Sequence, residues 1–292
     1  MIAFASNSLL CRAALKEGTI DPATFTFLRL FSGSVALSLI MSVRRKMIGE
    51  RTASSFVDSI SVGRSSLLRY GNWISAVALF VYAAGFSFAY TSLSAGTGAL
   101  LLFGAVQATM ILWGLHKGER LSTLQIGGFV IAITGLVVLV FPGLSAPPLG
   151  GSVLMLGAGV AWGVYSLRGK GERNPASVTT RNFIRSVPFA TALIIVFAPW
   201  IHVHPSGVVY AIISGAVTSG LGYVIWYGAL PGLRATSAAT VQLSVPVLTA
   251  TGGIMLLSEP VTLRYLLACL AVLGGIALVV ATPHSQVNSS SE

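Results

Sequence analysis

The sequence predicts an all-α integral membrane protein of ten transmembrane helices, arranged as two inverted-topology five-helix repeats. Three observations predict it. Only 9% of the 292 residues are charged while 54% are hydrophobic, and the mean hydropathy is +0.83. Soluble domains carry about 25% charged residues and disordered chains need low hydrophobicity, so neither class fits. The stretches 70–116, 121–167 and 186–233 contain no Asp, Glu, Lys or Arg. Each is long enough for two spans and a turn, at about 20 apolar residues per span. Finally, the second half of the chain echoes the first at an offset of 140 residues, as from Glu119 to Glu259.

Taken in order, the spans read as 1–16, 23–43, 72–91, 95–116, 122–141, 150–168, 178–199, 206–228, 234–257 and 262–281. The first is short and broken by Arg12, so it either starts partly outside the hydrocarbon or lacks its natural beginning. Asp21-Pro22 opens the second, and the polar insert 44–69 separates it from the third. "KGERLS" at 117–122, "FPGLSAPPLGG" at 141–151 and Asn174-Pro175 precede the fifth, sixth and seventh. "HVHPSG" at 202–207 and "LPGLR" at 230–234 precede the eighth and ninth. Pro and Gly stop helices, and the polar groups among them solvate the turns. Residues 282–292 read as a disordered cytoplasmic tail.

Basic residues set the orientation. With the N-terminus inside, twelve of them from Arg44 to Arg234 fall in cytoplasmic loops, and only Lys16 and Arg264 lie clearly outside. Both termini are then cytoplasmic, in a bacterial-type inner membrane. The net charge of +10 is accounted for by this bias, and no nucleic-acid partner is expected.

The repeat pairs Ala89 with Ala229, Leu93 with Leu233, Ala95 with Ala235, Ala99 with Ala239, Thr109 with Thr249, Gly135 with Gly275 and Val140 with Val280. Residues 1–141 form the first unit and 150–281 the second. Five spans per unit is an odd number, so the second unit enters the membrane from the opposite side. Inverted repeats are a common plan of secondary transporters, with substrate near the midplane where the halves meet.

Three stretches carry a resemblance: "ALLLFGAVQATMILWGLHKGERLS", "GAGVAWGVYSLRGKG" and "LGYVIWYGALPGLRATSAATVQLSVPVLTA". With the order of spans, they resemble the drug/metabolite transporter superfamily, EamA type, over nearly the whole chain. The resemblance implies a helical basket around a central cavity lined by spans 1, 3, 4, 6, 8 and 9. It implies export of small metabolites: aromatic or other neutral amino acids, as in the YddG-like exporters, and toxic cations.

Polar and aromatic groups at midplane depth are the substrate-binding candidates. Tyr82 and Phe86 share one stripe of the third span, with Tyr90. Gln107 and Gln242 carry amides too costly to face lipid. Trp162 offers a broad face to aromatic or cationic ligands, and Tyr165 lies one turn on, matching the aromatic position of "AWGVY". Tyr223 on the eighth span and Asn7 on the first complete the set. Packing, interhelical hydrogen bonding or an interfacial aromatic belt is the alternative for each. Pro246 is expected to kink the ninth span by removing an N–H and freeing a carbonyl, as a hinge, a polar spot or a purely structural kink.

No Asp or Glu lies deep in a span, so movement is expected to be facilitative, by alternating access. Glu119 and Glu259 are read as caps of the helices that follow them. Arg29, Arg181 and Arg185 can snorkel, pair or attract a carboxylate, with snorkelling favoured. The absence of HExxH, GxSxG and paired intramembrane aspartates argues against an enzyme, and the absence of a filter or charged ring argues against a channel. A proton-coupled drug or nucleotide-like metabolite carrier is the remaining alternative. Cys11 and Cys269 read as buried free thiols, no cofactor or metal is expected, and the oligomeric state stays open.

Overall fold

A computed structural model describes residues 1–47, 72–118, 120–143, 146–169, 172, 174–229 and 241–281. Most of the polar insert, Glu119, the 230–240 connection and the tail lie outside the described residues. The rest is helical. The elements are α1 (Ile2–Lys16), α2 (Pro22–Met47), α3 (Trp73–Tyr90), α4 (Ala95–His116) and α5 (Thr123–Val140). They continue with α6 (Leu149–Gly169), α7 (Pro175–Val196), α8, α9 (Ser244–Leu257) and α10 (Leu263–Ala281). Helix α8 runs from Pro205 to Ala229 and contains a π-helical stretch, Ser214–Leu221. Seven of the described helices are long and apolar enough to cross a membrane; α1, α7 and α9 are shorter or more polar.

Helix starts follow local chemistry. The side chains of Asn72, Ser94, Ser122 and Asn174 accept from backbone N–H groups of the first turns of α3, α4, α5 and α7. Ser122 and Gln125 form a reciprocal capping box, and Pro occupies the first turn of α7 and α8. These groups satisfy donors that a helix leaves unpaired.

Packing has an internal correspondence. Helices α3 and α4 pack on α6, while α8 and α9 pack on α1. Helix α2 packs on α8, and α7 packs on α3. The pairs α2–α7, α4–α9 and α5–α10 map onto themselves when each helix is exchanged for the one five places along. In α5–α10 the backbones touch, and a Cβ on Gly128 would stand 2.6 Å from the carbonyl oxygen of Gly275.

Hydropathy does not separate the two faces of these helices. In α10, Ala268, Val272 and Ile276 face inward while Leu266, Leu267 and Leu270 are exposed. Lipid is as apolar as Leu, so hydropathy alone does not mark the buried face.

The α1–α2 and α7–α8 connections meet at the expected outer face. Ile20 bridges Val203, and the Asp21 carboxylate accepts from Thr24 N (2.8 Å) and His202 N (3.3 Å). The α3–α4, α5–α6 and α9–α10 connections gather on the same face around a groove of about 190 Å³.

Candidate functional site

Helix α1 supplies Phe4 and Asn7, α3 supplies Tyr82 and Phe86, and α4 supplies Leu102 and Phe103. With Trp162 of α6 and Gln242, at the turn before α9, they surround a cavity of about 20 Å³. Five of the eight candidates, Asn7, Tyr82, Phe86, Trp162 and Gln242, thus converge on one space from four parts of the fold.

Trp162 is the hub. Its ring lies 4.8 Å from Tyr82, 5.2 Å from Tyr223 and 5.4 Å from Tyr165, centroid to centroid. Phe4 reaches Tyr223 at 5.8 Å, and Phe86 bridges Tyr82 (5.5 Å) to Tyr90 (4.7 Å). A continuous aromatic column therefore runs along the cavity wall. Tyr223 and Tyr165 belong to it from behind Trp162, buried and outside the cavity lining. Gln107 is buried in α4 and does not reach the lining.

Asn7 is 4% exposed. Its Oδ1 accepts from the hydroxyls of Ser214 (2.6 Å) and Thr218 (3.3 Å), both in the π-helical stretch. Such insertions re-aim side chains and recur at functional sites. The polar set Ser214, Thr218 and Ser219 was open to the sequence as an unusually hydroxylated stretch of an apolar span; its π geometry was not.

The interruption expected from Pro246 falls at Leu243, where a turn separates residues 241–242 from α9. Pro246 has no N–H to return to the carbonyl of Gln242, four residues back, and it sits in the first turn of α9, which begins at Ser244.

Arg29 departs from the snorkelling expectation. It is 2% exposed. Its Nη2 donates to the Tyr82 hydroxyl at 2.9 Å and its Nε to Ser219 Oγ at 3.3 Å. Its guanidinium carbon lies 4.8 Å from the Phe86 ring centroid and 5.1 Å from that of Tyr82. Arg29 stands seven residues into α2, too deep to reach solvent when its head is held by α3 and α8. Arg185 is likewise buried, over the ring of Trp73 at 5.4 Å.

Glu259 also departs from expectation. It caps α4, not the following helix: Oε2 accepts from Ala95 N at 2.7 Å. Its Oε1 accepts from Arg12 Nε at 2.9 Å, and Arg12 Nη1 donates to Tyr90 O at 2.8 Å. Tyr90 in turn donates to Ala95 O at 3.2 Å. This knot ties α1, α3 and α4 to the α9–α10 connection on the side of the cavity nearer the expected outer face. Arg12, which seemed to disrupt the first span, is its centre. Cys11 beside it is buried and free; Cys269 is free and half-buried, less enclosed than expected.

The sequence pattern of the EamA-like transporter family matches residues 149–281. An uncharacterized protein of Pseudomonas aeruginosa is 52% identical over 281 residues, covering 96% of this chain and 92% of that one. A probable amino-acid metabolite efflux pump of Escherichia coli is 27% identical over 259 residues, covering 81% of this chain and 83% of the pump. A solved crystal structure of a protein shares the fold, with a TM-score of 0.59 at 17% identity, over 95% of this chain and 96% of the other.

Proposed function

Since the chain belongs to the EamA-like transporter family of the drug/metabolite transporter superfamily, we propose that it exports neutral amino acids from the cytoplasm by alternating access. The two units 1–141 and 150–281 are inverted repeats that rock against each other in the inner membrane, with both termini cytoplasmic. The exchangeable packing of α1–α5 and α6–α10 supports this reading.

The observation that carries the proposal is the aromatic and amide-lined cavity between the halves. Trp162, Tyr82 and Phe86 present ring faces to an apolar or aromatic side chain. Gln242 and Asn7 present amides, and the Gln242 carbonyl, to which Pro246 has no N–H to give, is an acceptor for an ammonium. Tyr223 and Tyr165 hold Trp162 in place, and Gln107 braces α4.

Size supports a cycle. A cavity of about 20 Å³ accommodates roughly one water, whereas small-molecule pockets span about 300–1,000 Å³. Substrate entry must separate the halves. The Arg12–Glu259 pair closes the outer side, and the groove of about 190 Å³ bordered by Glu259, Ser94 and Tyr265 is the vestibule beyond it. The same cycle makes the break at Leu243 a hinge.

The described carboxylates, Glu17, Asp21, Glu172 and Glu259, all stand at helix ends or in connections. Intramembrane acids mark proton relays, and none occupies the cavity lining, which favours facilitative movement. The E. coli pump's name favours amino acids as cargo.

The test is uptake into proteoliposomes of a panel of radiolabelled amino acids and cationic drugs, with Trp162→Ala and Tyr82→Ala beside the parent. Saturable flux with counterflow of at least one amino acid, reduced by either change, is expected. Equal flux in parent and both variants contradicts the cavity assignment.

A further inference from the structure

Arg29 is a buried cation with no ion-pair partner among the described residues. Among the described residues the one ion pair is Arg12–Glu259, on another side of the cavity wall. Asp21 is engaged with Thr24 N and His202 N. Arg29 is held instead by one phenol, one serine hydroxyl and two ring faces. Its Nη1 is buried and has no hydrogen-bond partner among the described residues. An ionised group removed from water without a paired opposite charge is costly, and such residues within membranes mark substrate sites.

Tyr82 connects this charge to the cavity. Its hydroxyl oxygen is occupied as acceptor by Arg29 Nη2 at 2.9 Å. Its own proton therefore remains a donor, on a side chain that lines the cavity. Arg29 Nη1 and the Tyr82 hydroxyl are thus two donors on one bonded pair, one of them fully charged. A carboxylate has two acceptor oxygens and suits the planar guanidinium. Gly215, at whose position a Cβ would overlap the Arg29 carbonyl, lets the π-helical stretch approach Arg29 closely.

We infer that Arg29 Nη1 and the Tyr82 hydroxyl form the subsite for a substrate carboxylate, so that the cargo is a carboxylate-bearing zwitterion and not an organic cation. This rests on the transporter reading above and names its substrate class. The cation–π contacts that a cationic drug would seek on Tyr82 and Phe86 are already made by Arg29, and its charge repels a second cation. The carboxylate supplies the missing counter-charge, and the aromatic rings receive the side chain.

The test uses the full-length protein in proteoliposomes and neutral L-amino acids, each with its carboxamide and its decarboxylated amine. The parent should transport an acid, with amide and amine weaker by roughly 10- to 100-fold, the range of a charge-assisted hydrogen bond. Arg29→Gln should lower acid transport to the amide's level, and Arg29→Lys should retain an acid preference at reduced rate. Thermal unfolding and gel filtration of each variant check folding, and the comparison of acid, amide and amine on the parent needs no variant. If amide or amine moves as well as acid on the parent, or a folded Arg29→Gln keeps the preference, the subsite is refuted while transport stands. If no compound of the panel moves, the transporter reading and the subsite fall together.

Discussion

Replacing Glu259 with Gln should open the outer side. In the parent, Glu259 accepts from Arg12 Nε at 2.9 Å and from Ala95 N at 2.7 Å. A Gln side chain keeps an acceptor for Ala95 N but turns N–H groups toward Arg12, leaving its charge uncompensated. Removing one partner of a fully buried pair costs about 3–5 kcal/mol. Here the side chains of Arg12 and Glu259 retain 13% and 7% exposure, so screening reduces the loss to about 2–3 kcal/mol. That loss falls on the closed form, because the pair separates when the outer side opens. At about 1.4 kcal/mol per decade, the open fraction rises about 30- to 150-fold. Cys11, one residue from Arg12 and buried, reports it. In a Cys269→Ala background, a membrane-impermeant thiol reagent applied from outside should label Cys11 faster by that factor in Glu259→Gln. Arg12→Gln/Glu259→Gln should lose less than the two single changes added together, since removing the second charge ends the mismatch. Equal labelling rates in parent and Glu259→Gln would refute the closure assigned to this pair.

Trp162→Ala should reduce transport at least tenfold, because it removes the surface shared by Tyr82, Tyr223 and Tyr165; Trp162→Phe should retain more, and initial uptake rates measure both. Gly128→Leu should separate α5 from α10 and lower the detergent melting temperature, with a cost of about 1–3 kcal/mol or more for overpacking, since even a Cβ there meets Gly275 O at 2.6 Å. Asn7→Ala should cost about 1–3 kcal/mol by leaving the buried Ser214 hydroxyl without its acceptor, while Thr218 keeps its bond to the Ser214 carbonyl at 2.7 Å; thermal stability reads the loss. An imposed pH gradient should not drive uphill accumulation in proteoliposomes, because no described carboxylate occupies the cavity lining.

The helices were legible because charge is scarce and Pro, Gly, Asn and Asp sit at the breaks; Asn72, Ser94, Ser122 and Asn174 cap close to the expected starts. The aromatic candidates were legible as midplane groups, yet their convergence on Trp162 depends on how α3, α6 and α8 meet, which no local pattern encodes. Arg29 was misjudged because both faces of α2 are apolar, so periodicity could not say that its head turns inward. Glu259 was misjudged because its partners, Arg12 and Ala95, lie far away in sequence. The π-helical stretch escaped because hydropathy does not register one extra residue per turn.

The most direct test of alternating access is to lock the outer side and measure flux. A short bifunctional thiol linker would join Arg12→Cys to Glu259→Cys in a chain whose native cysteines, Cys11 and Cys269, are replaced by Ala. Linked protein should cease counterflow of amino acids, and cleaving a reducible version of the linker should restore it. Undiminished counterflow through linked protein would contradict passage by opening at this end of the cavity.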